Sequence, residues 1–290
     1  ILIYSLRNKQ QRNLGRERMN LEGNILDIRT LNGYLWINTS DKGIYCYCPE
    51  TDELRKLEIP TELPENLKFC EIDMLTESSF VVTTSNTVFL ISFDGTDLIH
   101  DSFVWSERNF ESFNYAPFVK ERITQLYIDR NNRVLWLGTF GKGLLKINLR
   151  NKNISHIQLT DKIKDVNGMT QDAEGYIWLS TEDSGVWRSK NNQLSPQMEF
   201  ALWEKSLPHT YYCLHKDENG NLWIGDETGT LQCINPSTHK TTSFYPQMTD
   251  GTSVGHIQKV YLCIHNKAWL VTDKGLFIFD HLNNKCIASF

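Results

Sequence analysis

At 290 residues, 40% hydrophobic and 22% charged, the chain has the balance of an ordinary globular protein and the length of one large all-β domain or two average ones. A net charge of −5, from 30 basic and 35 acidic residues, argues against a nucleic-acid partner, which calls for a basic face. No apolar run of about 18 residues occurs, so no membrane span is expected within the chain, and the compositional oddity is its 8 Trp beside 11 Tyr and 14 Phe.

The start, Ile1-Leu2-Ile3-Tyr4-Ser5, is too short and too quickly polar for a signal peptide. It has no initiator Met, so the chain reads as a piece of a longer one, with localisation signals expected elsewhere. Residues 1–20 match the two outer strands of a partial unit, with Ile1 to Leu6 and Arg12 to Leu14 as the strands.

From residue 21 one phrase recurs. It is clearest as Leu135-Trp136-Leu137-Gly138-Thr139, followed by a Gly-bearing turn and Leu144-Leu145-Lys146-Ile147-Asn148. Other copies are Leu35-Trp36-Ile37-Asn38-Thr39, Ile177-Trp178-Leu179-Ser180-Thr181, Leu222-Trp223-Ile224-Gly225-Asp226 and Ala268-Trp269-Leu270-Val271-Thr272, with a worn one at Phe80-Val81-Val82-Thr83. The Trp-equivalent positions 36, 80, 136, 178, 223 and 269 are 44, 56, 42, 45 and 46 residues apart. A period near 45 with several short strands per unit is a propeller-blade signature, and no amphipathic helical pattern competes with it.

Each unit reads as four antiparallel strands, A to D. In the third they fall at 123–128, 134–139, 144–148 and 154–159. The A–B turns Asp172-Ala173-Glu174-Gly175 and Asp217-Glu218-Asn219-Gly220 have tight-hairpin chemistry. Residues 1–290 are thus expected to form a single all-β propeller domain of six fuller four-stranded blades (21–290) plus two outer strands. A seven-bladed ring, its last blade completed by chain beyond Phe290, is preferred over a six-bladed one.

The repeat residues read as structural. The strand B aromatics Trp36, Phe80, Trp136, Trp178, Trp223 and Trp269 fill the space between blades. Thr39, Thr83, Thr139, Thr181 and Thr272 are expected to cap the B–C turn. The aromatic segment 102–118, with Trp105, Phe110, Phe113, Tyr115 and Phe118, is read as an outer strand or edge loop in preference to a ligand loop. Cys46, Cys48, Cys70, Cys213, Cys233, Cys263 and Cys286 read as buried small hydrophobes, with neither a disulfide framework nor a zinc site expected.

Ligands of a propeller commonly sit where the D–A and B–C connections meet. The B–C acids recur because the turn recurs, so they are assigned to turn chemistry. The D–A connections do not repeat, and from them Arg122, Asn167, His209, Tyr211 and His256 are the candidate ligand residues, offering hydrogen bonds and a stacking face. No nucleophile elbow, metalloprotease or phosphate-loop motif is present. No catalytic residue, cofactor or metal is expected.

The Leu-Trp-Leu-Gly-Thr phrase, its Gly-rich turn and its Gly-Leu and Ile-Asn continuation resemble the two-component-regulator propeller repeat. That resemblance implies a periplasmic sensor region of an inner-membrane hybrid histidine-kinase receptor, typical of Bacteroidetes, which senses a carbohydrate and signals as a homodimer. It implies no turnover by this chain. The alternatives are a propeller lyase or glycosidase using axial carboxylates, and a scaffold that binds only protein.

Overall fold

The computed structural model describes residues 2–4, 11–13, 25–31, 34–39, 43–49, 51–56, 69–76, 79–84, 87–92, 110–163, 165–192, 197–203, 209–248, 250–263 and 267–289. Among them all regular structure is β-strand. The segment around Trp105, the turn at Asp41-Lys42 and Pro208 lie outside the described residues. The chain divides into two compact units, 1–116 and 117–290.

The first unit holds a hairpin and two blades. β1 (Leu2–Tyr4) pairs with β2 (Gln11–Asn13). Blade 1 is β3 (Ile25–Leu31), β4 (Tyr34–Thr39), β5 (Gly43–Cys48) and β6 (Glu53–Lys56). Blade 2 is β7 (Phe69–Thr76), β8 (Ser79–Thr84), β9 (Thr87–Ser92) and β10 (Phe110–Asn114). The aromatic segment therefore supplies the outer strand of blade 2, with Phe113 and Tyr115 buried and the Tyr115 hydroxyl donating to the Thr84 carbonyl.

The second unit holds four blades. Blade 3 is β11 (Ile123–Asp129), β12 (Val134–Thr139), β13 (Leu144–Asn148) and β14 (Asn153–Ile157). Blade 4 is β15 (Val166–Gln171), β16 (Ile177–Thr181), β17 (Val186–Ser189) and β18 (Phe200–Leu202). Blade 5 is β19 (Tyr211–Lys216), β20 (Leu222–Asp226), β21 (Leu231–Asn235) and β22 (Lys240–Phe244). Blade 6 is β23 (Ile257–Cys263), β24 (Lys267–Thr272), β25 (Gly275–Asp280) and β26 (Lys285–Ser289).

The architecture is an all-β β-propeller of six blades with four antiparallel strands each. This corrects the expectation of a seven-bladed ring. Among the described residues each of the six four-stranded sheets has its own strands, and β1 and β2 pair only with each other. Two three-residue strands make a hairpin, and a hairpin presents no broad face for a neighbouring blade to bury.

The packing rule inside each unit is directional. Alternate residues of strand B point to opposite faces. Trp136 clusters with Ile177 and Leu179 of blade 4, Trp178 with Leu222 and Ile224 of blade 5, and Trp223 with Ala268 and Leu270 of blade 6. Each Trp thus enters the following blade between the residues that flank that blade's own Trp. In the first unit the rings of Trp36 and Phe80 lie 4.8 Å apart. Phe80 therefore stands where the residue before the Trp stands elsewhere, and by turn register Val81 occupies the Trp position. The slip moves the B–C cap too. Thr84, not Thr83, caps the turn through the Thr87 carbonyl at 3.0 Å, while Thr83 accepts from the Glu71 amide.

Elsewhere the caps follow the phrase. Thr139 donates to the Gly143 carbonyl at 2.8 Å and Thr181 to that of Gly185 at 2.6 Å. In blade 5 an aspartate substitutes. Asp226 Oδ1 accepts the amides of Thr228 and Thr230, both at 2.9 Å. At the opposite end, the A–B turn aspartates bind both turn and core. Asp172 takes the amides of Glu174 and Tyr176 and the Trp178 indole N–H at 2.8 Å; Asp217 takes those of Asn219 and Asn221 and the Trp223 indole at 3.0 Å. Blade 3 departs from this. Asp129 is engaged by Asn132, and the Trp136 indole nitrogen has no partner among the described residues.

The glycine of the phrase is required by close approach. A Cβ at Gly225 would lie 2.4 Å from Ile257 Cγ2 and 2.8 Å from the Ile257 carbonyl oxygen in blade 6. Blade 4 has Ser180 there instead, and the missing volume is moved to its paired residue, Gly168, where a Cβ would lie 2.7 Å from the Leu214 nitrogen. The described cysteine side chains Cys46, Cys48, Cys213, Cys233 and Cys286 are free thiols. Burial pushes those of Cys46, Cys213 and Cys233 up to about 12, which keeps them protonated and unreactive.

Gly225→Ala is expected to cost roughly 1–3 kcal/mol, the usual penalty of overpacking, read as a lowered denaturant midpoint. Burial alone would raise the Asp217 carboxyl, but the Trp223 indole, the Asn221 side chain and the turn amides hold it below its ordinary value. A carboxyl depressed on folding contributes stability above its unfolded value, near pH 4, and loses it as pH falls through the folded value. Asp217→Asn should therefore flatten the acid limb of the stability curve below about pH 4. Superimposable limbs would remove Asp217 from that role.

Candidate functional site

Antiparallel register brings the start of strand A beside the end of strand B, so the D–A and B–C connections share one face of each blade. In the second unit the backbone ties them together: Phe140 N–H donates to Arg122 O at 3.1 Å, Glu182 to Asp165 at 3.0 Å and Glu227 to Thr210 at 3.0 Å. In blade 6 a side chain does this work. Asp273 Oδ1 accepts the His256 amide at 2.6 Å.

All four inner strands of this unit begin with the same irregularity. Pairing skips from Ile123 to Gln125, Val166 to Gly168, Tyr211 to Cys213 and Ile257 to Lys259. A bulge of this kind re-aims the extra residue, here Thr124, Asn167, Tyr212 and Gln258. In blades 3 and 4 the extra side chain fastens the next blade. Thr124 Oγ1 donates to the Val166 carbonyl at 2.6 Å and Asn167 Nδ2 to the Tyr211 carbonyl at 3.3 Å. In blade 5 it is Tyr212, whose ring lies near-parallel to that of His256 at 21°, with centroids 6.0 Å apart.

The sequence-derived candidates separate accordingly. Arg122 is exposed, its guanidinium 5.1 Å from the centre of the Phe140 ring in blade 3. Asn167 is half-buried and spent on the interblade bond. His209 is half-buried, and its Nδ1 has no partner among the described residues. Tyr211 is fully buried in the cluster with Trp178 and Trp203. His256 is exposed and stacked on Tyr212. The fold thus joins Asn167 to Tyr211 and pairs His256 with Tyr212, and it leaves Arg122 two blades away from that pair.

Around Tyr212 gather acids that the sequence assigns to turns. Burial, then Glu227, Glu182, Asp273 and Asp183, hold the Tyr212 hydroxyl above its ordinary value. Asp183 Oδ1 accepts the Thr210 hydroxyl at 2.9 Å, and Glu227 Oε1 accepts the Thr210 amide at 3.3 Å. The described residues of the connection after blade 5 are tied by hydrogen bonds to one another and to the B–C turns of blades 5 and 6. Met248 N–H donates to Thr252 O at 2.8 Å, Ser253 Oγ to Thr228 O at 3.4 Å, and Lys274 Nζ to Ser253 O at 3.1 Å. Gly255 has φ +90°, and a Cβ there would lie 2.1 Å from Asp273 Oδ1. No group of three His, Cys, Asp or Glu among the described residues could hold a metal ion, and no helix among them is long and apolar enough to cross a membrane.

A family model described as two component regulator propeller matches residues 206–228, the stretch that carries Tyr212, Trp223 and Glu227. Among solved structures, the chain is similar at 14% identity and a TM-score of 0.65 to PorZ, an essential bacterial surface component of the type-IX secretion system of Porphyromonas gingivalis; the match covers 91% of this chain and 40% of that one. At 12% identity and the same TM-score it is similar to a chain of a mitotic checkpoint complex, over 92% of this chain and 76% of that one. Both likenesses concern the fold alone, and this chain spans less than half the length of the PorZ chain. No curated protein matches the sequence.

Asp273→Ala should release the His256 amide. Loss of a charge-assisted bond of about 1.5–3 kcal/mol predicts at least tenfold faster hydrogen exchange at His256, while exchange in β20 is unchanged. Equal protection in both proteins would show that Asp273 does not hold this loop.

Proposed function

We propose that the chain is the extracytoplasmic ligand-recognition propeller of a two-component signalling receptor, that it responds to a carbohydrate, and that it signals through rearrangement of a dimer. The observation that carries this reading is the two-component-regulator propeller match over 206–228. The matched stretch includes the most individual side chain of the loop face, Tyr212. A recognition module needs a rigid framework with variable residues at one end, and the bulged positions supply them. An exposed imidazole beside a tyrosine ring offers the stacking and hydrogen bonding that a sugar uses. Occupancy of such a site would act by favouring one arrangement of the receptor over another.

The test is titration of the purified chain with a panel of defined neutral, acidic and basic oligosaccharides, followed by calorimetry and by thermal midpoint. At least one is expected to bind and raise the midpoint, with no new reducing ends released over hours. Released reducing ends would replace this reading with a glycosidase or lyase. Silence across the whole panel would remove carbohydrate as the signal.

A further inference from the structure

The bulged position is built alike in blades 3 to 6 and used differently. Thr124 and Asn167 are short enough to reach the first carbonyl of the next blade. Tyr212 carries its hydroxyl at the far end of a ring. Its neighbour Cys213 instead makes the long contact to that carbonyl, with Sγ 3.9 Å from Ile257 O. The Tyr212 ring is left over His256, the residue just before Ile257.

The backbone beneath the pair is fixed. The His256 amide is tied to Asp273 and Gly255 admits no side chain, which sets where the His256 side chain leaves the chain. Around the rim, Asp183 and Glu227 are oriented by Thr210, and Asp273 by His256. Two carboxylates are thus held at Thr210, two residues before Tyr212, and one at the backbone of His256, and no group of three His, Cys, Asp or Glu among the described residues could hold a metal ion. Negative charges beside an exposed aromatic pair suit a bulky organic cation with an apolar flank: the ring attracts the charge, and its face takes the C–H surface.

We propose that Tyr212 and His256 are the platform for an amino sugar, whose pyranose stacks on the tyrosine while its ammonium group faces Asp183, Glu227 and Asp273. This rests on the carbohydrate-recognition reading and narrows it to a basic saccharide. Burial first and then Glu227, Glu182, Asp273 and Asp183 raise the hydroxyl of Tyr212, and the part that the acids contribute agrees with it, since acids that disfavour a phenolate favour an ammonium ion.

The test compares β-1,4-linked glucosamine tetramer with its fully N-acetylated counterpart, which has the same ring and no charge. By calorimetry at low salt, the amine form should bind at least about tenfold more tightly than the acetylated form, and raising salt from about 50 to about 500 mM should weaken it. Tyr212→Ala should lower its affinity at least about tenfold. Glu227→Gln keeps an oxygen for the Thr210 amide and should weaken it several-fold, so it decides the matter if Tyr212→Ala does not fold. Equal binding of the two tetramers would overturn the cationic preference and leave carbohydrate recognition standing. Unchanged affinity in both variants would place the site elsewhere. Failure of the amine tetramer to bind, or tetralysine binding as tightly as the tetramer, would overturn the amino-sugar assignment.

Discussion

The whole arrangement depends on a tryptophan of one blade entering the sheet of the next. A four-stranded antiparallel blade has two faces, and in blades 3, 4 and 5 strand B is buried on both. Trp136, Trp178 and Trp223 each fill the gap to their following neighbour against residues that flank that neighbour's own Trp. The strands B of blades 4 and 5 are therefore intruders on one face and hosts on the other. Accordingly β12, β16 and β20 are buried along their whole length. Losing one Trp would open a large core cavity.

The other recurrent residues follow from that insertion. An indole carried inward brings its N–H, and Asp172 and Asp217 meet it with a carboxylate that also folds the A–B turn. One residue thereby links turn chemistry to interblade packing in blades 4 and 5, where aspartate and Trp are six residues apart; in blade 3 Asp129 stands seven before Trp136 and the bond is not made. At the other end of strand B the approach of the next inner strand leaves no room for a side chain, and Gly225 supplies the space. Where Ser180 occupies that place, Gly168 gives the volume back. The constraint is on the pair of facing positions, and either member can meet it.

Much of this is legible in the sequence because both periods involved are short and local. The strands of blade 3 are read at 123–128, 134–139 and 144–148 and found at 123–129, 134–139 and 144–148. Blade 2 misleads because its phrase lacks a Trp. Phe80 is the large aromatic in the right neighbourhood, yet it receives Trp36 and does not play the Trp's part, and one residue of slip moves the cap from Thr83 to Thr84. The blade count fails for another reason. Two short segments, Ile1 to Leu6 and Arg12 to Leu14, read alike whether they are the outer half of a blade or a free-standing hairpin, and only pairing partners distinguish them. The choice between Tyr211 and Tyr212 is hidden by the bulge, since an extra residue at the head of a strand breaks the period-two rule that assigns faces. The signal that would reveal it is the alignment of Tyr212 with Thr124, Asn167 and Gln258, each of which follows the first residue of its inner strand.

A repeat fold confines individuality to places where it does no harm. The Trp, its aspartate and its glycine are bound into three-way contacts, and a change in any of them is felt across two blades. The carboxylates of the B–C turns are freer, yet Asp226 shows how fully a turn can occupy one. The bulged residue is different. Its backbone is fixed by the mismatch in pairing, whereas its side chain lies outside the ladder, and it can fasten a neighbour, as Thr124 does, or be released from that duty. Blade 5 releases it. The interblade joint there is kept by Gly225 against Ile257 and by the Cys213 contact. An aromatic ring can then stand at the rim with no cost to the packing beneath. A ligand surface can in this way be rewritten one residue per blade on a framework that does not change.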